Sequence, residues 1–211
     1  MIKAILFDLG GVLVRLDKER CIRAFRERVG FTRIAEFLDT SHQMGPFGDL
    51  EAGRISEEDF YAHCLQYCRP GTTRDQIRAC FGDLQDPFTP EVLALLEELR
   101  AHYPLYILSN NSSVTMARTY ESAAQTGLDL GATFRRIYIS QELKLLKPDP
   151  AIFDYVVRDI GLPPEEVLFV DDSPRNVAAA LDAGLSAIHY EPGTDLRSTL
   201  AQVLPPAILE P

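Results

Sequence analysis

Asp8 follows the short apolar run Ile2 to Phe7 and is followed at once by Leu9-Gly10-Gly11. An acid delivered by a buried strand to the mouth of a tight turn is placed to meet a ligand. A second acidic pair, Asp171-Asp172, ends the run Val167-Leu-Phe-Val170, and Ser109-Asn110-Asn111 ends Leu105-Tyr-Ile-Leu108. Each group alone has an ordinary reading, as turn formers or helix caps. Together they supply hard oxygen ligands of the kind magnesium takes, one or two carboxylates beside substrate phosphate oxygens. Adjacent acids also repel one another, and a cation relieves that repulsion. A carboxylate that attacks phosphorus needs its own charge and the phosphate charge offset, which a shared Mg²⁺ achieves. Lys147, in Lys147-Pro148-Asp149-Pro150, would add a fixed positive charge, although alone it reads as a solvated surface lysine. The Ser109 hydroxyl and Asn110 amides, at a strand-to-helix junction, suit phosphoryl oxygens.

These residues are up to about 160 positions apart in the chain, so the fold must bring them together. After Pro87 the pattern alternates. Thr89 caps a predicted helix with Pro90 at its first position and Val92, Leu95, Leu96 and Leu99 as its apolar stripe. Strands follow at Leu105–Leu108, Ile137–Ile139, Val167–Val170 and Ala187–Tyr190, with helices between them, one of them over Asp149–Ile160. Four apolar residues in a row at Val167–Val170 indicate burial on both faces. This alternation predicts an α/β fold, a doubly wound parallel sheet, and ligands in such sheets bind beyond the carboxyl ends of the strands. From about Asp17 to Asp86 the periods are helical instead: Ile22, Phe25 and Val29 share a face, and Ser56 to Asp59 has capping-box spacing. The expected division is a core of residues 1–16 and 89–211 with a helical module, 17–88, inserted after the first strand.

The chain has 211 residues, 46% hydrophobic and 25% charged, with net charge −10 and an isoelectric point near 4.9. An acidic surface argues against a nucleic-acid partner, whose phosphates attract basic faces. It leaves room for a small phosphorylated metabolite, because a metal and a few donors reverse the field inside one pocket. No apolar run reaches the roughly 20 residues that span a bilayer, so no membrane partner is expected. The opening MIKAILFDLGGVLV lacks a cleavage site of small residues. Cys21, Cys64, Cys68 and Cys80 read as reduced thiols of a cytoplasmic protein.

FDLGGVL at Phe7–Leu13, LSNN at Leu108–Asn111, KPDPAIF at Lys147–Phe153 and VLFVDDSPRNVAAALDAG at Val167–Gly184 resemble, in order and spacing, the motifs of the haloacid dehalogenase superfamily. The likeness spans nearly the whole chain. It is greatest to the branch with α-glucose-1-phosphate phosphatases and the N-terminal phosphatase domain of soluble epoxide hydrolase. The resemblance implies a Rossmann-like core, a helical cap over 17–88, and a magnesium-dependent phosphatase acting on small phosphomonoesters, sugar phosphates first. It implies Asp8 as nucleophile and metal ligand, Gly10 as a backbone-carbonyl metal ligand, and Asp172 as the second metal carboxylate. Asp171 would stand behind it or bind through water, Ser109 and Asn110 would hold the phosphoryl group, and Lys147 would stabilise phosphorylated Asp8. Asn176 occupies a place where some relatives carry another acid.

One position departs from the pattern. Most phosphatases of the superfamily carry a second aspartate two residues after the nucleophile, where this chain has Gly10. Loss of a positioned general acid typically costs about 10²–10⁴ in rate. Asp17 and Glu51 are the candidate substitutes. A catalytically weak phosphate- and magnesium-binding scaffold is the alternative that Gly10 favours; a true dehalogenase fits less well, since carbon–halogen cleavage needs no magnesium while the Asp171-Asp172 pair suits a metal. The plain readings stand for the rest: Gly10 and Gly11 as turn formers, Arg15 as surface charge, Gly53–Ser56 with Arg54 as a turn, and His42, His63, His102 and His189 as uninvolved.

Overall fold

A computed structural model describes residues 1–38 and 45–209; His42 lies outside the described residues. Strand β1 (Ala4–Phe7) is wholly buried, as an uninterrupted apolar run in a parallel sheet must be. Helix α1 (Lys18–Ala24) follows, running into a π-helical turn at Phe25–Val29, then α2 (Ile34–Phe37), α3 (Gly45–Glu51), α4 (Glu57–Leu65) and α5 (Arg74–Gly82). The Ser56–Asp59 capping box forms at the start of α4 as its spacing predicts, and Thr73 with Gln76 makes a second one at α5. These helices close around their own aromatic core. Phe81 packs edge-on to Phe25 with ring centroids 4.7 Å apart and stacks on Phe47 at 5.5 Å. Burial pushes the thiols of Cys21 and Cys64 up to about 12 and that of Cys80 to about 11, and all four cysteines are unpaired.

The chain enters and leaves this helical layer through a narrow neck. Leu16 bridges Gln85 antiparallel, Asp17 donates its N–H to the Leu84 carbonyl at 2.7 Å, and Asp86 donates to Arg15 at 2.9 Å. The largely exposed Arg15 guanidinium closes the neck on Asp86 at 2.6 Å.

Beyond the neck the sequence alternates: α6 (Pro90–Arg100), β2 (Leu105–Ser109), α7 (Ser113–Thr126), α8 (Leu130–Thr133), β3 (Phe134–Ile139), α9 (Ser140–Leu143), α10 (Pro150–Ile160), β4 (Val167–Asp171), α11 (Pro174–Asp182) and β5 (Ser186–His189). Helices α12 (Leu196–Leu200) and α13 (Pro206–Leu209) complete it. Among the described residues the five strands form one parallel sheet in the order β3-β2-β1-β4-β5. The expected doubly wound sheet is therefore present. β3 begins three residues earlier than Ile137, because Arg135 and Arg136 interrupt its apolar pattern yet the strand is an exposed edge that tolerates them. Among the described residues no helix is long and apolar enough to cross a membrane.

Candidate active site

Central β1 is flanked by β2 and β4, so three polar strand ends lie side by side at the carboxyl edge. A chamber of about 1030 Å³ opens there between the sheet and the helical layer, and Asp8, Gly10, Ser109, Asn110, Lys147 and Asp172 all face it. The predicted site residues are thus brought together, except that Asp171 lies beneath the chamber floor, fully buried.

Lys147 is the hub of that floor. Its side chain is 1% exposed, with Nζ 3.0 Å from Asp8 Oδ1 and 2.7 Å from Asp171 Oδ2, and it donates to the Leu108 carbonyl at 2.9 Å. Burial alone would pull its ammonium down, but Asp171 and Asp8 outweigh that and hold it above its ordinary value. The surface-lysine reading does not hold for this position.

Asp171 is committed on both oxygens. Oδ2 takes the Lys147 ammonium, while Oδ1 accepts from the Ser173 N–H at 2.8 Å and from Asn176 Nδ2 at 2.9 Å. Asp172 is half-buried and reaches the chamber; its backbone carbonyl lies 3.0 Å from the His189 ring nitrogen Nε2. The carboxylates of Asp8, Asp171 and Asp172 each offer an oxygen within 4.8 Å of the others, a cluster able to hold a metal ion. Burial pushes Asp8 up to about 7, against the pull of Lys147 and with the help of its acidic neighbours. Burial and Asp171 likewise raise Asp172. Three crowded acids facing one lysine are a fit for a divalent cation, whose charge would reverse both shifts.

Asn110 differs from the expectation in one respect. Its side-chain amide is spent on the backbone of Lys147, donating to the carbonyl at 2.9 Å and accepting from the N–H at 2.8 Å. It clamps the lysine loop to β2, while Asn110 and the buried Ser109 both line the chamber.

The two glycines behind Asp8 also separate. Gly11 has φ +87, and a Cβ there would collide with the Asp172 carboxylate. Gly11→Ala should therefore cost about 1–3 kcal/mol and weaken magnesium binding together, read by thermal melts with and without Mg²⁺; an unshifted melt and unchanged metal response would refute the packing account. Gly10 has no such backbone requirement. A Cβ at Gly10 would lie 3.0 Å from the tip of the Leu16 side chain, which is flexible.

Of the two substitutes for the missing acid, Asp17 is the N-cap of α1, accepting from the Arg20 N–H at 2.8 Å. Glu51, the last residue of α3, lines the chamber with Asp8 and Lys147. Burial, reinforced by the Asp8 charge and opposed by Lys147, pushes its carboxyl up to about 8. Its carbonyl accepts the Ser140 Oγ–H at 2.6 Å, and the same hydroxyl oxygen accepts from the Asn111 N–H at 3.0 Å. Ser140 thereby ties the helical layer to the end of β2, a role with no sequence signal, since its partners lie 89 and 29 residues away. Arg54 is paired with Asp49 at 2.7 Å rather than turned to the chamber.

Four similarities to known proteins bear on this arrangement. Residues 2–184 match the model of the haloacid dehalogenase-like hydrolases. The D-ribitol-5-phosphate phosphatase of Bacteroides thetaiotaomicron is 31% identical over 205 residues, covering 97% of this chain and 99% of that protein. A haloacid dehalogenase family enzyme from the same organism, crystallised with magnesium and inorganic phosphate, superimposes with a TM-score of 0.82 at 32% identity over 92% of this chain and 97% of its own. The bifunctional epoxide hydrolase 2 of Rattus norvegicus is 25% identical over 86% of this chain, which spans 35% of that longer protein. Matching along nearly its whole length, the chain belongs to the haloacid dehalogenase-like hydrolase family.

Proposed function

We propose that this phosphoric monoester hydrolase cleaves small phosphomonoesters with Asp8 as the nucleophile, through a phosphorylated aspartate. The observation that supports it most is Asp8 at the end of the central strand, 3.0 Å from a buried lysine and beside Asp172. Asp8 and Asp172 would hold Mg²⁺ with the Gly10 carbonyl; the ion, when bound, offsets the charge of the phosphoryl oxygens and of Asp8. The chain's own groups do the rest. Ser109 and the Asn110 main chain orient the phosphoryl group, and Lys147 holds Asp8 in line and balances the acyl phosphate it becomes. Asp171 fixes Lys147 from below, as Asn110 does from the side. Residues 17–88 would serve as the cap that excludes water and chooses the alcohol.

Sugar and sugar-alcohol phosphates are the first substrates to test, in view of the ribitol-phosphate relative. The chamber wall away from the sheet carries Phe37, Leu38, Phe47, Phe81 and Leu84, which favours including esters of apolar alcohols in the same panel. The test is phosphate release across that panel, with and without Mg²⁺, beside Asp8→Asn. Turnover that survives in Asp8→Asn would refute the mechanism. Magnesium should also raise the melting temperature, by an amount equivalent to about 2.7 kcal/mol at a hundredfold excess over its dissociation constant. Asp172→Ala should remove most of that rise, and a rise of equal size in the variant would refute its place as a ligand.

A further inference from the structure

We propose that Glu51 supplies the proton that position 10 cannot: it protonates the oxygen of the departing alcohol, then takes a proton from the water that attacks phosphorylated Asp8. This deepens the function proposed above and rests on Asp8 as nucleophile. In the first step the Asp8 oxygen–phosphorus bond forms as the ester oxygen–phosphorus bond breaks, and the Glu51 proton passes to the leaving oxygen. In the second, water forms the new bond to phosphorus, Asp8 is released as a carboxylate, and Glu51 regains its proton.

Direction supports the assignment. Asp8 approaches from the sheet edge, and displacement at phosphorus runs in line, so the leaving oxygen points away from the sheet. That is the side from which α3 brings Glu51 into the chamber. The hydrolytic water enters where the alcohol left, within reach of the same carboxyl.

Elimination points the same way. Of the other acids that line the chamber among the described residues, Asp8 and Asp172 belong to the metal cluster, Asp17 caps α1, and Glu19 lies exposed in the first turn of α1. Among the described residues, Glu51 is the acid of the chamber wall that remains, half-buried at the end of α3.

The position is also built. The Ser140 hydroxyl holds the Glu51 carbonyl at 2.6 Å, and the turn after it presses so closely on the core that a Cβ at Gly53 would lie 2.5 Å from the Gln141 carbonyl. Gly53 adopts φ +63 there, which explains the glycine. Glu51 is therefore registered against the same backbone that carries Asn111.

The test compares Glu51→Gln with the unaltered protein on a sugar-alcohol phosphate and on p-nitrophenyl phosphate, both with Mg²⁺. An alkoxide needs a proton to leave, whereas nitrophenolate does not. The kcat/KM for the alkyl ester should fall about 10²–10⁴-fold, while that for the aryl ester stays within a few-fold. With the aryl ester kcat should fall and phosphorylated Asp8 should accumulate in a burst, because its hydrolysis has lost its base. Inhibition by inorganic phosphate should persist, reporting an intact site. Equal losses on both esters, loss of phosphate inhibition, or no loss on either would each overturn the assignment. Turnover that requires Asp8 but ignores Glu51 sinks the proton role alone; turnover that survives in Asp8→Asn sinks the underlying mechanism as well.

Discussion

Asp8→Asn should lower turnover on every phosphomonoester by about 10⁴-fold or more, the scale seen when a nucleophile acting as part of a unit is removed. The amide nearly preserves the shape of the side chain, so the loss belongs to chemistry and not to folding. Removing the charge also leaves Lys147, 3.0 Å away, still paired with Asp171 at 2.7 Å. The variant should therefore melt no more than a few degrees from the unaltered protein while showing no phosphorylated intermediate in acid-quenched single turnovers. Labelled phosphate retained on the asparagine variant would contradict the assignment.

Lys147→Ala should produce the largest loss of stability of any substitution considered. The ammonium is the counter-charge for Asp8 and Asp171 together, at 3.0 and 2.7 Å, in a pocket where it is 1% exposed. Breaking a buried ion pair from one side typically costs about 3–5 kcal/mol, since the partner charge stays buried and unpaired. For a chain of this length that amounts to roughly 6–20 °C in melting temperature. Magnesium should return part of it, because a cation beside Asp8 and Asp172 offsets some of the abandoned charge. Calorimetry with and without Mg²⁺ reads both effects. An unchanged melting temperature would mean that the acids shed their charge at little cost and that the lysine is no electrostatic keystone.

The contrast between these residues shows what the sequence made legible. The sheet was readable because Ile2–Phe7 and Val167–Val170 are unbroken apolar runs, and burial on both faces leaves few other fates for such segments. The placement of Asp8, Ser109 and Asp172 at the chamber was readable for the same reason: each ends a strand whose position was already implied. Roles that depend on contacts across tens of residues were not. Asn110 resembled a phosphate ligand, yet its side chain bonds Lys147, 37 positions on. Asp171 and Asp172 are neighbours in sequence, and only three dimensions show that one is tied on both oxygens while the other reaches the chamber. Asp17 and Glu51 looked alike as stand-in acids until α1 claimed the first as its cap.

Gly10 is instructive in the same way. Its pairing with Gly11 suggested one turn requirement shared by both, but only Gly11 has a positive φ. The absent acid is not the consequence of a backbone that refuses a side chain; Leu16 occupies the neighbouring space.

The neck at Leu16 and Gln85 has a consequence for how such a protein can change over generations. Because the two ends of the helical layer are hydrogen-bonded side by side, whatever is spliced between them sees the same pair of anchor points. Lengthening a segment whose ends are already held together costs little, about 0.6 kcal/mol for each doubling. A descendant could therefore trade one insert for another and acquire a new diet while β1, β2 and β4 keep their registry. On the proposed mechanism a replacement would keep Asp8, Lys147 and Asp172, but it would have to bring its own counterpart of Glu51. Lineages that exchange this segment should accordingly be found either restoring an acid at position 10 or carrying one in the new insert.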